Sequence, residues 1–348
     1  FYNYNRLISL NEVGGEPGRG GDFEPVAELH ARNEEIARAW PHTMNATSTH
    51  DTKRSEDVRA RLHVLSEMPD AWEREVRKWS RLNAPLKRDG VPHPNEELLI
   101  YQTLAGAWPL DEERLHTFLE KAAREAKTHS SWIKVDEGYE RALKEFASAL
   151  LKNEEFVKSF ERFHRRIAFH GFLNSLAQVV VKICSPGVPD FYQGTELWDF
   201  SLVDPDNRRP VDYAARASLL SSPGTPSSML RNWQDGRVKL FVTSRALAAR
   251  ARFADAPYRA VDTGTPHAVA FLRGENTLIV VPRLTASLVK PPQLPLGEVW
   301  GEHALDVPGR WRNVFTEETL ESLALRDVFA TFPVAILESG GVASAPPI

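Results

Sequence analysis

The sequence predicts an α/β protein that is interrupted by a large helical block and followed by an antiparallel β-sandwich domain. Residues 1–65 and 171–255 mix helical patterns with short apolar runs that are typical of strands. Residues 66–170 carry helical patterns only. Residues 256–340 contain short runs rich in β-branched residues, separated by turn residues, as in a sandwich of two sheets.

The first zone contains a helix, a strand and the start of a second helix. A helical pattern covers residues 23–40, and the threonine-rich run 42–49 favours a strand. Ser55 is predicted to cap the second helix, whose first turn places Glu56 and Asp57 at the positive end of the helix dipole. This alternation of helix and strand is the basis of the α/β assignment.

The helical block is defined by apolar residues that recur every three or four positions. Three amphipathic helices are predicted, over residues 69–82, 111–127 and 139–151. Asp111 is a suitable N-cap for the second of them. We expect the whole block, residues 66–170, to be an insertion in the α/β domain.

The remaining elements are short, apart from one buried helix. The apolar run 172–185 is too long for one strand and is predicted to be that helix. Residues 186–194 then form a short buried strand, with prolines at its entry and glycine at its exit. The tail 341–348 is expected to be disordered. The β-rich runs of the sandwich are 267–274, 277–284 and 326–338.

Composition excludes several classes of protein. A formal net charge of −4 over 348 residues gives no reason to expect nucleic-acid binding. Cys184 is the only cysteine, so no disulfide can form within the chain, which suits the cytoplasm. No apolar stretch approaches the roughly 20 residues that a membrane span needs. Because the chain starts at Phe1 within an aromatic run, we expect it to be the second part of a longer protein.

A charged cluster precedes the capped helix, and the helix does not require it. His50, Asp51, Lys53 and Arg54 lie in the loop after the predicted strand 42–49. A carboxylate at such a strand end can stabilise the oxocarbenium-like transition state of glycoside chemistry. Imidazole and carboxylate together offer the donors and acceptors that vicinal hydroxyls require. A two-residue match is weak evidence by itself, so a surface role for the pair stays open.

Longer segments around this pair resemble the α-amylase superfamily. In that superfamily a histidine–aspartate pair ends the seventh strand of a (β/α)8 barrel, as His50 and Asp51 do here. A segment G-x-P-x-x-Y-x-G-x-E forms the eighth strand. The resemblance therefore implies the C-terminal portion of a (β/α)8 barrel, with its last two strands as neighbours. Asn45 departs from the apolar residue expected inside the seventh strand. The matches to the eighth-strand segment are Gly187, Pro189, Tyr192, Gly194 and Glu196.

The resemblance also implies roles for individual residues. Asp51 would stabilise the transition state, and His50 would donate a hydrogen bond to the sugar at the cleavage point. Lys53 or Arg54 could hold the terminal glucose or orient a carboxylate, and a solvated face is an equal alternative. Candidates for further substrate contacts, sugar stacking or a buried polar network that supports the site are Tyr192, Gln193, Glu196, Asp204, Arg208, Trp108 and Trp132.

Within the superfamily, the segments resemble a branch that moves the reducing-end glucose of a maltooligosaccharide from an α-1,4 to an α-1,1 linkage, in trehalose biosynthesis. This transfer proceeds through a covalent glycosyl-enzyme and must exclude water, for which the helical block is the candidate lid. We expect no metal and no organic cofactor.

No segment here matches the superfamily's nucleophile aspartate or its acid/base glutamate. The chain alone is therefore expected to be inactive, and the missing N-terminal part of the same enzyme is its expected partner. Two alternatives stay open. The first is a hydrolase of α-glucans or of the trehalose-ended product, and the second is a non-catalytic module that binds maltooligosaccharide.

Overall fold

A computed structural model of the chain describes residues 1–15, 17 and 24–339. The tail that the sequence predicts to be disordered, 341–348, lies outside the described residues. The chain divides into two compact units, which we call the helical unit and the sheet unit. The helical unit comprises Phe1–Gly20, Ser48–Gly171 and Asp199–Pro210, and the sheet unit comprises Gly21–Thr47, Phe172–Trp198 and Val211–Ile348.

The α-helices of the described residues are α1 (Pro25–Ala39), α2 (Glu56–His63), α3 (Pro69–Asn83), α4 (Pro94–Ala107), α5 (Glu112–Ala126), α6 (Glu137–Lys152), α7 (Glu154–Cys184), α8 (Tyr213–Ser221), α9 (Pro226–Arg231), α10 (Arg237–Arg250), α11 (Thr285–Leu288) and α12 (Leu325–Val328). The strands are β1 (Met44–Ala46), β2 (Val188–Asp190), β3 (Tyr258–Val261), β4 (Ala268–Arg273), β5 (Thr277–Pro282), β6 (Trp311–Asn313), β7 (Thr319–Leu320) and β8 (Ala335–Ser339).

The core of the helical unit is aromatic. Trp79 of α3 is fully buried, and its ring lies 5.6 Å from that of Tyr101 in α4. Phe156 and Phe160 of α7 pack on the same indole at centroid distances of 5.7 and 5.4 Å. Such edge and tilted contacts add to the large apolar area that each ring buries. The helices predicted from periodicity over 69–82, 111–127 and 139–151 are thus present as α3, α5 and α6.

Helix α4 is missing from the sequence prediction because it has no polar face. Every residue from 99 to 107 is buried, so the helix lacks the amphipathic period that reveals a surface helix. Capping follows the prediction for α5, where the Asp111 side chain accepts from the backbone N–H of Arg114 at 2.9 Å.

The predicted cap of α2 needs correction. Ser55 occupies the N-cap position, but its side chain makes no capping hydrogen bond. Its hydroxyl donates instead to the backbone carbonyl of Asp199. The first-turn N–H of Glu56 finds another acceptor, the hydroxyl of Ser48, at 2.8 Å. A distant segment thus competes successfully for the side chain that the local pattern assigned to the helix end.

Strands β1 and β2 pair in parallel, with Met44 opposite Val188 and Ala46 opposite Asp190. They are the two strands that the sequence predicts as neighbours. The Asn45 side chain donates a 2.7 Å hydrogen bond to the carbonyl of Pro186, which accounts for an amide at this position. Gly187 has φ +107°, and a Cβ there would lie 2.8 Å from the Asn45 side chain.

Strand β2 is less buried than predicted. Val188 is 45% exposed, and within the described residues this parallel sheet has only two strands.

The other β-strands form one six-stranded antiparallel sheet with the order β3-β4-β5-β8-β6-β7. The predicted sandwich of two sheets is therefore wrong for the described residues. Both faces of the sheet are covered by other elements. Trp300, Leu305 and Phe329 pack on one face. On the other, Tyr258 bonds His30 of α1 at 2.6 Å, and Arg273 donates to the last carbonyl of α7 at 2.6 Å. Helices and loops thus bury the area that a second sheet would have buried.

Among the described residues, one helix is long and apolar enough to cross a membrane by composition alone, namely α7. Its most apolar stretch of 18 residues is 83% buried inside the protein. This burial is typical of a core helix, which passes the same compositional test.

Candidate active site

His50 and Asp51 occupy an exposed loop that follows β1 in the chain. Their side chains are 66% and 68% exposed, and His50 Nε2 lies 3.5 Å from Asp51 Oδ2. That distance permits electrostatic attraction but is longer than an ordinary hydrogen bond. Both groups are therefore free to exchange hydrogen bonds with a ligand.

Hydroxyl groups organise the backbone of this loop. The N–H of Asp51 donates to the Thr49 hydroxyl at 3.2 Å, and the Thr52 hydroxyl donates to the Thr49 carbonyl at 2.9 Å. Side chains of this kind hold tight turns by bonding to nearby backbone groups. The Lys53 ammonium donates to the Asp51 carbonyl at 2.9 Å and lies 5.1 Å from the centre of the Phe1 ring.

Residues 199–207, a second segment of the helical unit, form hydrogen bonds to the loop. The Asn207 side chain donates a 3.0 Å hydrogen bond to the backbone carbonyl of His50. The N–H of Ser55 donates to the Ser201 carbonyl at 3.0 Å, and the N–H of Asp199 donates to Asp57 at 2.7 Å. Residues 199–207 thus hold the loop at His50 and at its C-terminal end.

Glu12 is a third anchor, which the sequence prediction missed. Its Oε1 accepts from the N–H of Lys53 at 2.6 Å, and its Oε2 accepts from the N–H of Arg54 at 3.0 Å. The side chain is only 5% exposed. An acidic residue shortly before Gly14 and Gly15 is the one signal in the sequence that could have indicated it.

Arg54 cannot contact a ligand directly, which corrects its assignment as a substrate-binding residue. Its side chain is fully buried, and burial lowers the pKa of its guanidinium to about 10. Nη1 donates weakly to the carbonyls of Ile8 and Asn11, at 3.4 and 3.5 Å. Arg54 therefore joins the loop to the N-terminal segment. Lys53 is half-buried and stays within reach of the surface.

Asp206 forms the supporting network of segment 199–207. It pairs with Arg114 of α5 through two hydrogen bonds of 2.7 and 2.8 Å, and it accepts from the N–H of Leu202 at 2.7 Å. Burial alone would raise the pKa of Asp206, but these bonds and the charge of Arg114 outweigh it and hold the pKa below its usual value. Asp204 and Arg208 pair with each other at the surface, 38% and 58% exposed, rather than in a buried network.

The remaining strand candidates belong to the sheet unit. Tyr192 is half-buried, and its carbonyl accepts from the Thr195 hydroxyl at 2.7 Å in the turn after β2. Gln193 is exposed. Glu196 pairs with Arg216 of α8 at 2.8 Å. Arg216 also donates to the carbonyl of Gly194 at 2.9 Å, so this pair fixes the turn after β2.

The two tryptophans proposed for sugar stacking differ. Trp108 is half-buried and packs against Phe160 with ring centres 5.2 Å apart, as a core residue does. Trp132 is 56% exposed and lies over the Arg124 guanidinium at 4.9 Å. Only Trp132 presents a ring to solvent.

The described residues contain no group of three or more histidine, cysteine, aspartate or glutamate side chains that could hold a metal ion. Fold and site together define a class of protein. It is an α/β protein that presents an imidazole–carboxylate pair on an anchored loop, directly after a strand of a parallel sheet.

Comparison with known proteins identifies the relatives within this class. No protein-family model matches the chain. A Mycobacterium tuberculosis protein assigned as a maltooligosyl trehalose synthase is 36% identical over 353 aligned residues, which cover 97% of this chain and 42% of that protein. The chain therefore spans less than half the length of the curated relatives it matches.

Solved structures give the same result. The maltooligosyltrehalose synthase of Arthrobacter ramosus superposes with a TM-score of 0.83 at 35% identity, over 97% of this chain and 44% of that one. A hypothetical maltooligosyl trehalose synthase of Sulfolobus tokodaii gives a TM-score of 0.80 at 33% identity, with the same coverage. Along nearly its whole length the chain is thus homologous to part of the maltooligosyl trehalose synthases, which confirms the resemblance predicted from the sequence.

Proposed function

We propose that the whole protein to which this chain belongs converts the reducing-end α-1,4 linkage of a maltooligosaccharide into an α-1,1 linkage and so forms maltooligosyl trehalose. One observation carries the proposal. The homology to maltooligosyl trehalose synthases covers 97% of the chain, including the loop that presents His50 and Asp51. The reaction class is an intramolecular glycosyl transfer, and the whole protein is an isomerase.

In this proposal Asp51 acts by charge. Its exposed carboxylate faces the positive charge that develops on the sugar ring in the transition state. His50 donates a hydrogen bond to a hydroxyl of the same sugar. Neither residue forms the covalent intermediate, which requires a second carboxylate as nucleophile and a third as general acid.

Those two carboxylates are proposed to come from the remaining part of the same protein. The parallel pair β1–β2 supports this proposal, because a parallel sheet normally has its strands paired and both faces covered. Further strands beside β1 and β2 would complete a (β/α)8 barrel, in which active sites lie at the C-terminal ends of the strands. The helical block 66–170 is then the candidate lid that keeps water from competing with the glucose acceptor. We place the protein in the cytoplasm.

Incubation of the whole protein with maltopentaose tests this function. Isomerisation lowers the number of reducing ends without shortening the chain, because both anomeric carbons of the terminal pair become linked. A rise in reducing ends would instead indicate a hydrolase. Unchanged maltopentaose, with binding detected by calorimetry, would indicate a non-catalytic module, and either result would overturn the proposal.

A further inference from the structure

Glu12 has an unusual set of hydrogen-bond partners. Its carboxylate accepts from three backbone N–H groups, those of Val13 at 2.9 Å, Lys53 at 2.6 Å and Arg54 at 3.0 Å. Both oxygens are therefore used, and the group is almost completely buried. Hydrogen bonds to an ionised carboxylate are among the stronger ones that proteins form.

The contact runs in both directions between the two segments. While Glu12 accepts from the loop, the Arg54 side chain donates to the carbonyls of Ile8 and Asn11, which both precede Glu12 in the same segment. The charges of Arg54 and Arg59 are both stabilised by Glu12, which opposes the effect of their burial. Removal of the negative charge would leave a buried cation without compensation.

This arrangement matters for Asp51, which lies two residues before Lys53. The carboxylate of Asp51 is 68% exposed, so little packing holds it in place. Its position depends on the backbone of the loop. Glu12 binds that backbone at the N–H groups of Lys53 and Arg54, two and three residues after Asp51. A displacement of about 1 Å at a catalytic group can reduce a rate by about 100-fold.

We propose that Glu12 is a positioning residue, which fixes the loop so that Asp51 meets the reacting sugar at the correct place. This inference rests on the proposed function, because it assigns Glu12 a part in the same reaction. Glu12 does not touch the substrate. It acts through the backbone of Lys53 and Arg54.

Glu12→Gln tests the anchoring directly. The amide keeps one acceptor oxygen, but its nitrogen points a donor at a backbone N–H that is itself a donor. In the whole protein, we expect hydrogen exchange of the Lys53 and Arg54 amides to accelerate by about 10-fold or more. Exchange at the centre of α2 should stay as it is. Unchanged exchange at both loop amides would overturn the inference.

Kinetics of the whole protein test the consequence for catalysis. We expect Glu12→Gln to lower kcat by about 10-fold or more while KM stays within about 3-fold. In an Asp51→Asn background the same change should have no further effect, because the group that Glu12 positions is then inactive. An additive loss would mean a merely structural role, and wild-type kcat in Glu12→Gln would remove any role.

Glu338→Gln is the matched control. Glu338 is also a buried carboxylate, but it belongs to the sheet unit, where it accepts from Arg252 at 2.7 Å. Its loss should lower stability without changing kcat. If Glu12→Gln fails to fold, Glu12→Asp keeps the charge beside Arg54 but is one methylene too short to reach both N–H groups. It should still lower kcat, and wild-type kcat in this variant would contradict the inference.

The two proposals can fail separately. If the whole protein with Glu12 intact does not isomerise maltopentaose, the proposed function is wrong, whatever the exchange experiment gives. If it does isomerise and the Glu12 variants match it, only the positioning role is wrong.

Discussion

The side-chain amide of Asn207 donates a 3.0 Å hydrogen bond to the backbone carbonyl of His50, 157 residues earlier in the chain. The next residue back, Asp206, is held by two hydrogen bonds from Arg114 of α5. Helix α5 is thus connected through two consecutive residues to the loop that carries Asp51. The candidate catalytic loop is therefore supported from inside its own unit.

Asn207→Asp should loosen this support. The change replaces a donor by a carboxylate oxygen, which repels the His50 carbonyl. We expect faster hydrogen exchange over residues 49–52 in the 348-residue chain and about a 10-fold lower kcat in the whole protein. Asn95→Asp is the matched control, because Asn95 also donates from its amide to a backbone carbonyl, that of Asn3 at 3.1 Å, away from the loop. Equal effects of both substitutions would contradict a specific role for Asn207.

Asp51→Asn should remove activity and leave the fold intact. The amide keeps the shape of the side chain and loses the charge that opposes the developing cation, which is worth about 100-fold or more in kcat. Because the side chain is 68% exposed, the melting temperature of the 348-residue chain should not change. His50→Ala should be milder, because it removes a hydrogen bond and no charge that the reaction needs. Wild-type rates in Asp51→Asn would exclude Asp51 from the site, and exposed Asp70→Asn serves as the control.

The 348-residue chain by itself should leave maltopentaose unchanged. Its sequence has no segment that matches the nucleophile and acid/base carboxylates of the superfamily. Chromatography of the sugar after incubation measures this. If the chain alone isomerises maltopentaose, its catalytic carboxylates must be sought among Asp190, Glu196, Asp199 and Asp204. Addition of the remaining part of the protein should restore turnover.

Arg114→Met should destabilise the helical unit strongly. Arg114 and Asp206 are 16% and 10% exposed, so loss of the cation leaves a poorly solvated carboxylate. Breaking such a pair typically costs about 3–5 kcal/mol. Arg77→Met, which breaks the exposed pair with Glu73, should cost less than about 1 kcal/mol. Urea unfolding followed by tryptophan fluorescence compares the two, and equal midpoints would show that Arg114–Asp206 contributes little.

His164 should make the fold sensitive to acid. Burial, and then the charge of Arg61, lower the pKa of His164 to about 3, and its Nε2 has no hydrogen-bond partner in the structure. Below pH 6.5 the unfolded chain binds a proton that the folded chain does not bind, so stability falls as the pH drops from 6.5 towards 3. At pH 5 this amounts to about 2 kcal/mol.

His164→Phe should reduce this sensitivity, because the ring still packs on Phe160 but no longer titrates. Urea unfolding at pH 7 and pH 5 measures the difference. The same loss of stability between the two pH values in His164→Phe and in the wild type would contradict the prediction.

Local pattern was sufficient for several elements of this protein. The apolar period of 3.6 residues identified α3, α5 and α6, and the type of residue at Asp111 identified a helix cap. The sequence also indicated His50 and Asp51 as candidate site residues, through the resemblance of the longer segments around them, and their role stays a prediction. It also predicted that β1 and β2 are parallel neighbours. These features are encoded by residues within a few positions of one another, or by long matched segments.

Tertiary structure decided which polar groups are partners and which are buried. Glu12 lies 41 residues before Lys53, Asn207 lies 157 residues after His50, and neither pairing has a local signature. Ser55 has the sequence of a helix cap, yet its hydroxyl bonds a carbonyl of a distant segment. Arg54 has the sequence of a surface cation, yet it is fully buried. A side chain with hydrogen-bonding capacity takes the partner that the fold brings within about 3 Å, and the order of residues along the chain does not fix that partner.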